Sequence, residues 1–178
     1  MAAKLGGRKG KLRLRGPKLL SLDANVIADN VPVETIRGVW IGSIHTAFNK
    51  DFLSDNAVTH IMNLSNSPSS FPDLFCYLTL TLRDKDASNL LCCVPASNIF
   101  IESALQGLQN VANPRGGVLV HCTGGRSRSA AMIIAYMMST HGQEYDEAMR
   151  FLRTKRPVCK VRRRTRAATP RRLSGGLV

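Results

Sequence analysis

The stretch of sequence that decides the fold, residues 118–129, reads Val118-Leu119-Val120-His121-Cys122-Thr123-Gly124-Gly125-Arg126-Ser127-Arg128-Ser129. Its first three residues are apolar, which is typical of a short buried strand, and the mainly apolar run over residues 130–138 predicts a buried helix. A cysteine at the end of a strand, a short loop of small and polar residues, and an arginine opening a helix together predict a phosphate cradle with a nucleophile at its base.

The chemistry of such a cradle explains each residue type in the loop. Gly124 and Gly125 can adopt positive φ angles, which let successive backbone N–H groups converge on one anion. The same positive field should lower the pKa of Cys122, because it stabilises a thiolate. Arg128 offers a planar fork that can bind two phosphoryl oxygens at once. Ser129 can donate a hydrogen bond to the thiolate when it departs as a leaving group.

This nonapeptide, residues 121–129, resembles the His-Cys-x5-Arg-Ser signature of the cysteine-dependent protein phosphatases, specifically their dual-specificity branch. Residues 58–65 look like that family's strand leading into an Asn-x-Ser turn, and residues 71–84 are similar to the strand that delivers its catalytic aspartate. Residues 145–157 look like the helix that closes the domain. The resemblance covers roughly residues 36–157 and implies hydrolysis of phosphotyrosine and phosphoserine/threonine monoesters in proteins through a phosphocysteine intermediate.

The resemblance also implies a role for each residue of the site. Cys122 is the nucleophile, Arg128 binds the equatorial oxygens, and Ser129 assists the thiolate. The phosphate is expected to be held by the whole loop: Thr123, Gly124, Gly125, Arg126, Ser127 and Arg128. His121 should point away from Cys122 along an extended strand, so it is predicted to orient the loop through hydrogen bonds and not to act as a base. No metal ion or organic cofactor is required.

A thiolate that expels an alkoxide needs a positioned acid to supply a proton. Asp84 and Asp86 both follow the strand predicted at residues 75–82. Asp84 directly follows that strand, and its spacing to the residues after it resembles the family pattern, whereas Asp86 would suit a solvated loop position. Asp84 is therefore predicted to be the general acid and, in the second step, the base that activates water.

The remaining pattern predicts an α/β fold with a central, largely parallel sheet flanked by helices, as in protein tyrosine phosphatases. Further strands are predicted at residues 39–42 and 58–64, and helical spacing is found over residues 99–111 and again after residue 126 with a break at Gly142. The predicted domain organisation is a basic, disordered N-terminal extension (1–30), the catalytic domain (31–157), and an Arg-rich, disordered or altered C-terminal tail (158–178).

Positive charge is concentrated at the two ends of the chain. The formal net charge is +13, yet residues 1–22 hold seven bases and residues 150–178 hold eleven, with no acidic residue in either segment. Residues 23–149 hold seven bases and all 12 acids, a net charge of −5. Such tails can contact anionic lipid or nucleic acid, or can be simple solvated extensions. No apolar run approaches the length of a membrane span.

Five cysteines with no paired metal-binding spacing fit a reducing compartment, so a cytoplasmic and also nuclear location is expected. After Pro157 the chain departs from the family, because an arginine-rich segment stands where the family continues into a last helix. An altered or truncated C-terminus is the hypothesis for this departure.

Two alternative functions stay open at this stage. Arg126 resembles the extra base that lipid-acting relatives carry in this loop, which favours a phospholipid or phosphoinositide phosphatase, although Thr123 stands where many of them place a lysine. The other alternative is a catalytically weak module that binds phosphorylated partners. The presence of both Cys122 and Arg128 speaks against it.

Overall fold

The computed structural model describes residues 29–81, 88–110, 112 and 114–161. Residues 1–28, 162–178 and 82–87, which include Asp84 and Asp86, lie outside the described residues. The predictions made for both tails and for the general acid therefore stay predictions, as does the location in the cell.

Five strands and four helices follow one another along the described chain: β1 (Val33–Ile36), β2 (Val39–Gly42), α1 (Lys50–Asp55), β3 (His60–Asn63), β4 (Cys76–Thr79), α2 (Ser88–Gln106), β5 (Val118–His121), α3 (Arg128–His141) and α4 (Tyr145–Lys155). Short 3-10 turns lie at Thr46–Phe48 and Gly107–Gln109. None of the helices within these described ranges is long and apolar enough to cross a membrane.

The strands form one sheet in the order β1-β2-β5-β3-β4, antiparallel between β1 and β2 and parallel elsewhere. The predicted fold class is confirmed. The register places Gly42 and Asn63 on either side of His121, at the carboxyl ends of their strands. The loops that follow β2 and β3 therefore flank the loop that follows β5, where parallel sheets bind ligands.

The two faces of the sheet are covered by different elements. On one face Val118, Val120 and Met62 pack in a large core with α2, α3 and α4, whereas Leu119 and Ile61 face a smaller cluster beside α1. This alternation follows from the two-residue period of a strand. Helix α3 is buried from Ser129 to Met137, so the helix that starts at the predicted cradle is the central helix of the core.

The strands predicted at residues 39–42, 58–64, 75–82 and 118–120 correspond to β2 to β5, and the break at Gly142 is confirmed. Two features were not predicted. Strand β1 is a partly exposed edge strand with only weak apolar patterning. Helix α2 begins at Ser88 and contains Pro95, so it starts eleven residues before the predicted helical segment.

Candidate active site

The loop between β5 and α3 is held from outside through its backbone carbonyls. Ile44 N–H donates to the Thr123 carbonyl (3.3 Å), and Lys160 N–H donates to the Arg126 carbonyl (2.9 Å). Between them, Arg156 Nε donates to the Gly125 carbonyl (2.9 Å). In a trans peptide the carbonyl and the next N–H point in opposite directions. Carbonyls bonded outward therefore turn the following N–H groups towards the inside of the loop.

Cys122 lies at the base of this loop, with 3% of its surface exposed. Burial acts to raise the pKa of the Cys122 thiol, but several donors outweigh it: the Ser129 hydroxyl, the backbone N–H groups of Ser129 and Arg126, and the charge of Arg128. The pKa of Cys122 consequently lies below its usual value. The Sγ–Oγ distance to Ser129 is 3.4 Å, so the predicted partnership of these two residues is observed.

Gly125 is the residue that gives the loop its shape. Its φ is +59°, whereas Gly124 does not have a positive φ, so only one of the two glycines uses the left-handed region as expected. A Cβ at position 125 would lie 2.6 Å from backbone atoms of Gly42 and 2.8 Å from the Arg156 guanidinium. The loop therefore packs directly against the end of β2 and against Arg156, and any side chain at this position would force them apart.

Arg128 opens helix α3 and reaches across to the loop after β3. One guanidinium nitrogen donates to the Leu64 carbonyl (2.6 Å) and the other to Thr123 Oγ1 (2.8 Å). The Leu64 carbonyl is presented by a turn that Asn63 organises, since Asn63 Oδ1 accepts from Ser65 N–H (2.9 Å) and Ser65 Oγ (2.6 Å). Asn63 is fully buried. The Asn-x-Ser turn noted in the sequence thus fixes the arginine fork.

The other predicted site residues show different environments. His121 is buried, and burial lowers its pKa to about 4, an effect that the backbone of Cys122 opposes only in part. Its Nδ1 and the Ser127 hydroxyl have no hydrogen-bond partner of normal geometry among the described residues. The orienting role of His121 therefore stays a prediction. At neutral pH the ring is uncharged, because the pH lies above this lowered pKa.

A cavity of about 600 Å³ lies beside the loop. Its lining includes Thr123, Gly124 and Arg126 from the loop and Lys155 from α4, together with His45 after β2. Arg126 and Lys155 are both exposed. The lining also includes Asp29 and Arg156, which pair with each other, so Arg126 and Lys155 give the space next to the cradle its positive charge. Within the part of the chain that the structure describes, no group of three or more His, Cys, Asp or Glu side chains could hold a metal ion.

Sequence reasoning missed Arg156 and the residues around it. Arg156 is 6% exposed and bonds to Asp29 as well as to Gly125. Asp29 and Cys159 fall outside the predicted catalytic domain, yet Asp29 pairs with Arg156 and Cys159 is buried in the main core. An arginine before a proline at a helix end gave no signal for this, because a buried and an exposed arginine look alike in a single sequence.

Comparison with known proteins agrees with this geometry. Residues 39–165 match the family described as dual specificity phosphatase, catalytic domain. The Dual specificity protein phosphatase 1 of Arabidopsis thaliana is 34% identical over 131 residues, which are 73% of this chain and 63% of that protein. The Dual specificity protein phosphatase 1B of the same plant is 35% identical over 124 residues, 69% of this chain and 70% of the relative.

A solved structure, that of the human tyrosine phosphatase-like serine/threonine/tyrosine-interacting protein, superposes with a TM-score of 0.70 at 28% identity. The superposition covers 78% of this chain and 92% of the human one. The chain spans less than two thirds of the first Arabidopsis relative. Since the family match extends over more than half of the sequence and includes the strand, the loop and the helix that carry Cys122 and Arg128, the chain belongs to the dual specificity phosphatase catalytic domain family.

Proposed function

We propose that this protein is a cysteine-dependent phosphatase that removes phosphate from phosphotyrosine and phosphoserine/threonine residues of proteins. The observation that carries this proposal is the environment of Cys122, whose pKa is lowered despite burial because Ser129 and the loop N–H groups donate to its sulfur. A buried cysteine without such donors would have a raised pKa and would be inert.

In the proposed reaction the Cys122 thiolate attacks phosphorus, and the bond from phosphorus to the substrate oxygen breaks. Arg128 and the inward N–H groups of the loop stabilise the equatorial oxygens, where negative charge develops. Asp84 gives its proton to the departing oxygen and then removes one from the water that hydrolyses the phosphocysteine. Ser129 stabilises the thiolate as it is released. Each of these steps uses groups of the chain and water alone.

The first experiment is hydrolysis of p-nitrophenyl phosphate by the purified chain beside Cys122→Ser. We expect the variant to lose at least about a thousandfold in kcat, because an alkoxide is far less accessible than a thiolate at neutral pH. Added chelator should leave the wild-type rate unchanged. A folded wild type without activity, or a Cys122→Ser variant that keeps its activity, would overturn the proposal. The first of those outcomes would favour the phospho-binding alternative.

A second substrate class, phosphoinositides, is favoured by one observation. Arg126 is exposed and lines the cavity beside the loop together with Lys155, so a headgroup with more than one phosphate would meet two cations there. Arg126→Gln and Lys155→Gln are the variants that separate the classes. If phosphoproteins are the substrates, phosphopeptide hydrolysis should exceed phosphoinositide hydrolysis in the wild type. The reverse order, reduced selectively by both substitutions, would establish the lipid class.

A further inference from the structure

The guanidinium of Arg156 is buried directly behind the phosphate loop. Arg156 directly follows α4, and its backbone N–H donates to the Leu152 carbonyl (2.8 Å). Its side-chain Nε donates to the Gly125 carbonyl. The remaining side of the fork contacts the Asp29 carboxylate. A buried guanidinium without a counter-ion is costly. The charge on Asp29 therefore keeps Arg156 in the position from which it bonds the loop.

Asp29 is itself attached to the body of the protein. The Ser43 hydroxyl donates to its carbonyl (3.2 Å) and accepts from His45 N–H (3.1 Å), so the chain at Asp29 is joined to the loop after β2. Ser43 is fully buried, while the Asp29 side chain is 27% exposed. Asp29 lies ten residues before the family match begins at residue 39, whereas Arg156 lies within the match, so the matched region includes only one partner of this contact.

The bond from Arg156 to Gly125 acts on the nucleophile through one peptide unit. The carbonyl of Gly125 and the N–H of Arg126 belong to the same planar trans peptide and point in opposite directions. Arg156 holds the carbonyl on the outer side, and the N–H of Arg126 reaches the sulfur of Cys122 on the inner side. Rotation of this peptide would turn the donor away from the sulfur and from the phosphoryl oxygens.

We propose that Asp29 is a positioning residue for the reaction: its carboxylate holds Arg156, and Arg156 holds the 125–126 peptide so that the N–H of Arg126 faces Cys122. Only the kinetic part of the test of this proposal rests on the proposed function. Without the Asp29 charge, Arg156 moves towards solvent, the Gly125 carbonyl loses its charged donor, and the inner N–H group loses its fixed direction.

The test compares Asp29→Asn with wild type in two independent measurements. The first is the pH dependence of Cys122 alkylation by iodoacetamide, which reports the thiolate without any phosphatase reaction. The assay is run in a background that replaces Cys76, Cys92 and Cys93 by serine, because these three cysteines are not fully buried. We expect the alkylation midpoint to rise by about one pH unit, since a hydrogen bond to a charged group is lost or weakened.

The second measurement is steady-state hydrolysis of p-nitrophenyl phosphate. We expect kcat to fall about tenfold with a smaller change in KM, because a small misplacement of a donor is felt mainly in the transition state. Asp29→Glu should restore much of both values. Asp73→Asn, which removes an exposed carboxylate, is the matched control and should resemble wild type in both measurements.

The double variant Asp29→Asn/Arg156→Gln keeps the proposal testable if Asp29→Asn does not fold, because it leaves no unpaired buried charge. It should show the same raised alkylation midpoint. A folded Asp29→Asn variant, or a folded double variant, with the wild-type midpoint would overturn the proposal. A wild type that lacks phosphatase activity would overturn the proposed function, while the alkylation midpoints would still decide the role of Asp29.

Discussion

Gly125→Ala should be far more damaging than Gly142→Ala, a substitution at a similar φ angle. Alanine at φ +59° costs about 1–2 kcal/mol from backbone strain. The added Cβ would also lie 2.6 Å from the Gly42 backbone and 2.8 Å from the Arg156 guanidinium. Ordinary contacts are about 3.5 Å, so these atoms must separate by close to 1 Å. Neither neighbour yields easily, because Gly42 belongs to β2 and Arg156 is bonded to both Asp29 and Gly125.

Gly142→Ala is the matched control for this substitution. Gly142 has a similar φ of +64°, but a Cβ there would meet no atom within 4 Å. It should therefore show the backbone cost alone, about 1–2 kcal/mol of unfolding free energy, with unchanged kcat. Gly125→Ala should lose about 3 kcal/mol or more, or else keep its fold with a displaced loop and a kcat reduced about a hundredfold, as expected for an error of 1 Å in donor position.

Urea unfolding and p-nitrophenyl phosphate hydrolysis, measured on both variants and on wild type, distinguish these outcomes. The excess cost comes from close packing of the loop against β2 and Arg156. This explanation would be refuted if Gly125→Ala were destabilised no more than Gly142→Ala and also kept the wild-type kcat.

Three other substitutions test separate parts of the site. Ser129→Ala removes a donor to Cys122 and should raise the pKa of its thiol, so the acidic limb of the kcat/KM profile moves to higher pH; an unmoved limb would contradict the assigned contact. Asn63→Ala should lower kcat/KM about tenfold in aryl phosphate assays, because the turn that presents the Leu64 carbonyl to Arg128 is lost; wild-type kinetics would show that the turn does not fix the arginine. Asp84→Asn should reduce kcat about a hundredfold for a phenyl phosphate but much less for p-nitrophenyl phosphate, whose leaving group needs little protonation. Equal losses on both substrates, or the larger loss in Asp86→Asn, would contradict the assignment of Asp84.

The sequence predicts the parts of this site that are continuous in the chain. Residues 118–138 follow one another as an apolar strand, a loop of small and polar residues and an apolar helix, so local sequence alone predicts all three. The roles of Cys122, Arg128 and Ser129 follow from their positions in this order. Edge strand β1 and the first half of α2 lack such a pattern. Glu34 lies inside the four-residue strand β1, and Pro95 lies inside helix α2, although neither residue type favours that structure. Tertiary packing therefore determines that these two segments form a strand and a helix. Of the two loop glycines only Gly125 has a positive φ, and this conformation depends on its packing against Gly42 and Arg156.

The contacts that orient the loop join residues that are distant in sequence. Arg128 bonds a carbonyl 64 residues away, Arg156 bonds one 31 residues away, and its counter-ion is separated from it by 127 residues. The register of the parallel strands brings the loops after β2, β3 and β5 to one edge, which places Arg128 beside the Leu64 carbonyl. The end of α4 and the segment before β1 then supply Arg156 and Asp29 behind the loop. Burial alone would have raised the pKa of Cys122 and made it inert. The reactivity of Cys122 therefore depends on groups that only the folded chain brings together. Substitutions at Asn63, Gly125 or Asp29 should affect the thiolate although none of these residues donates a hydrogen bond to it.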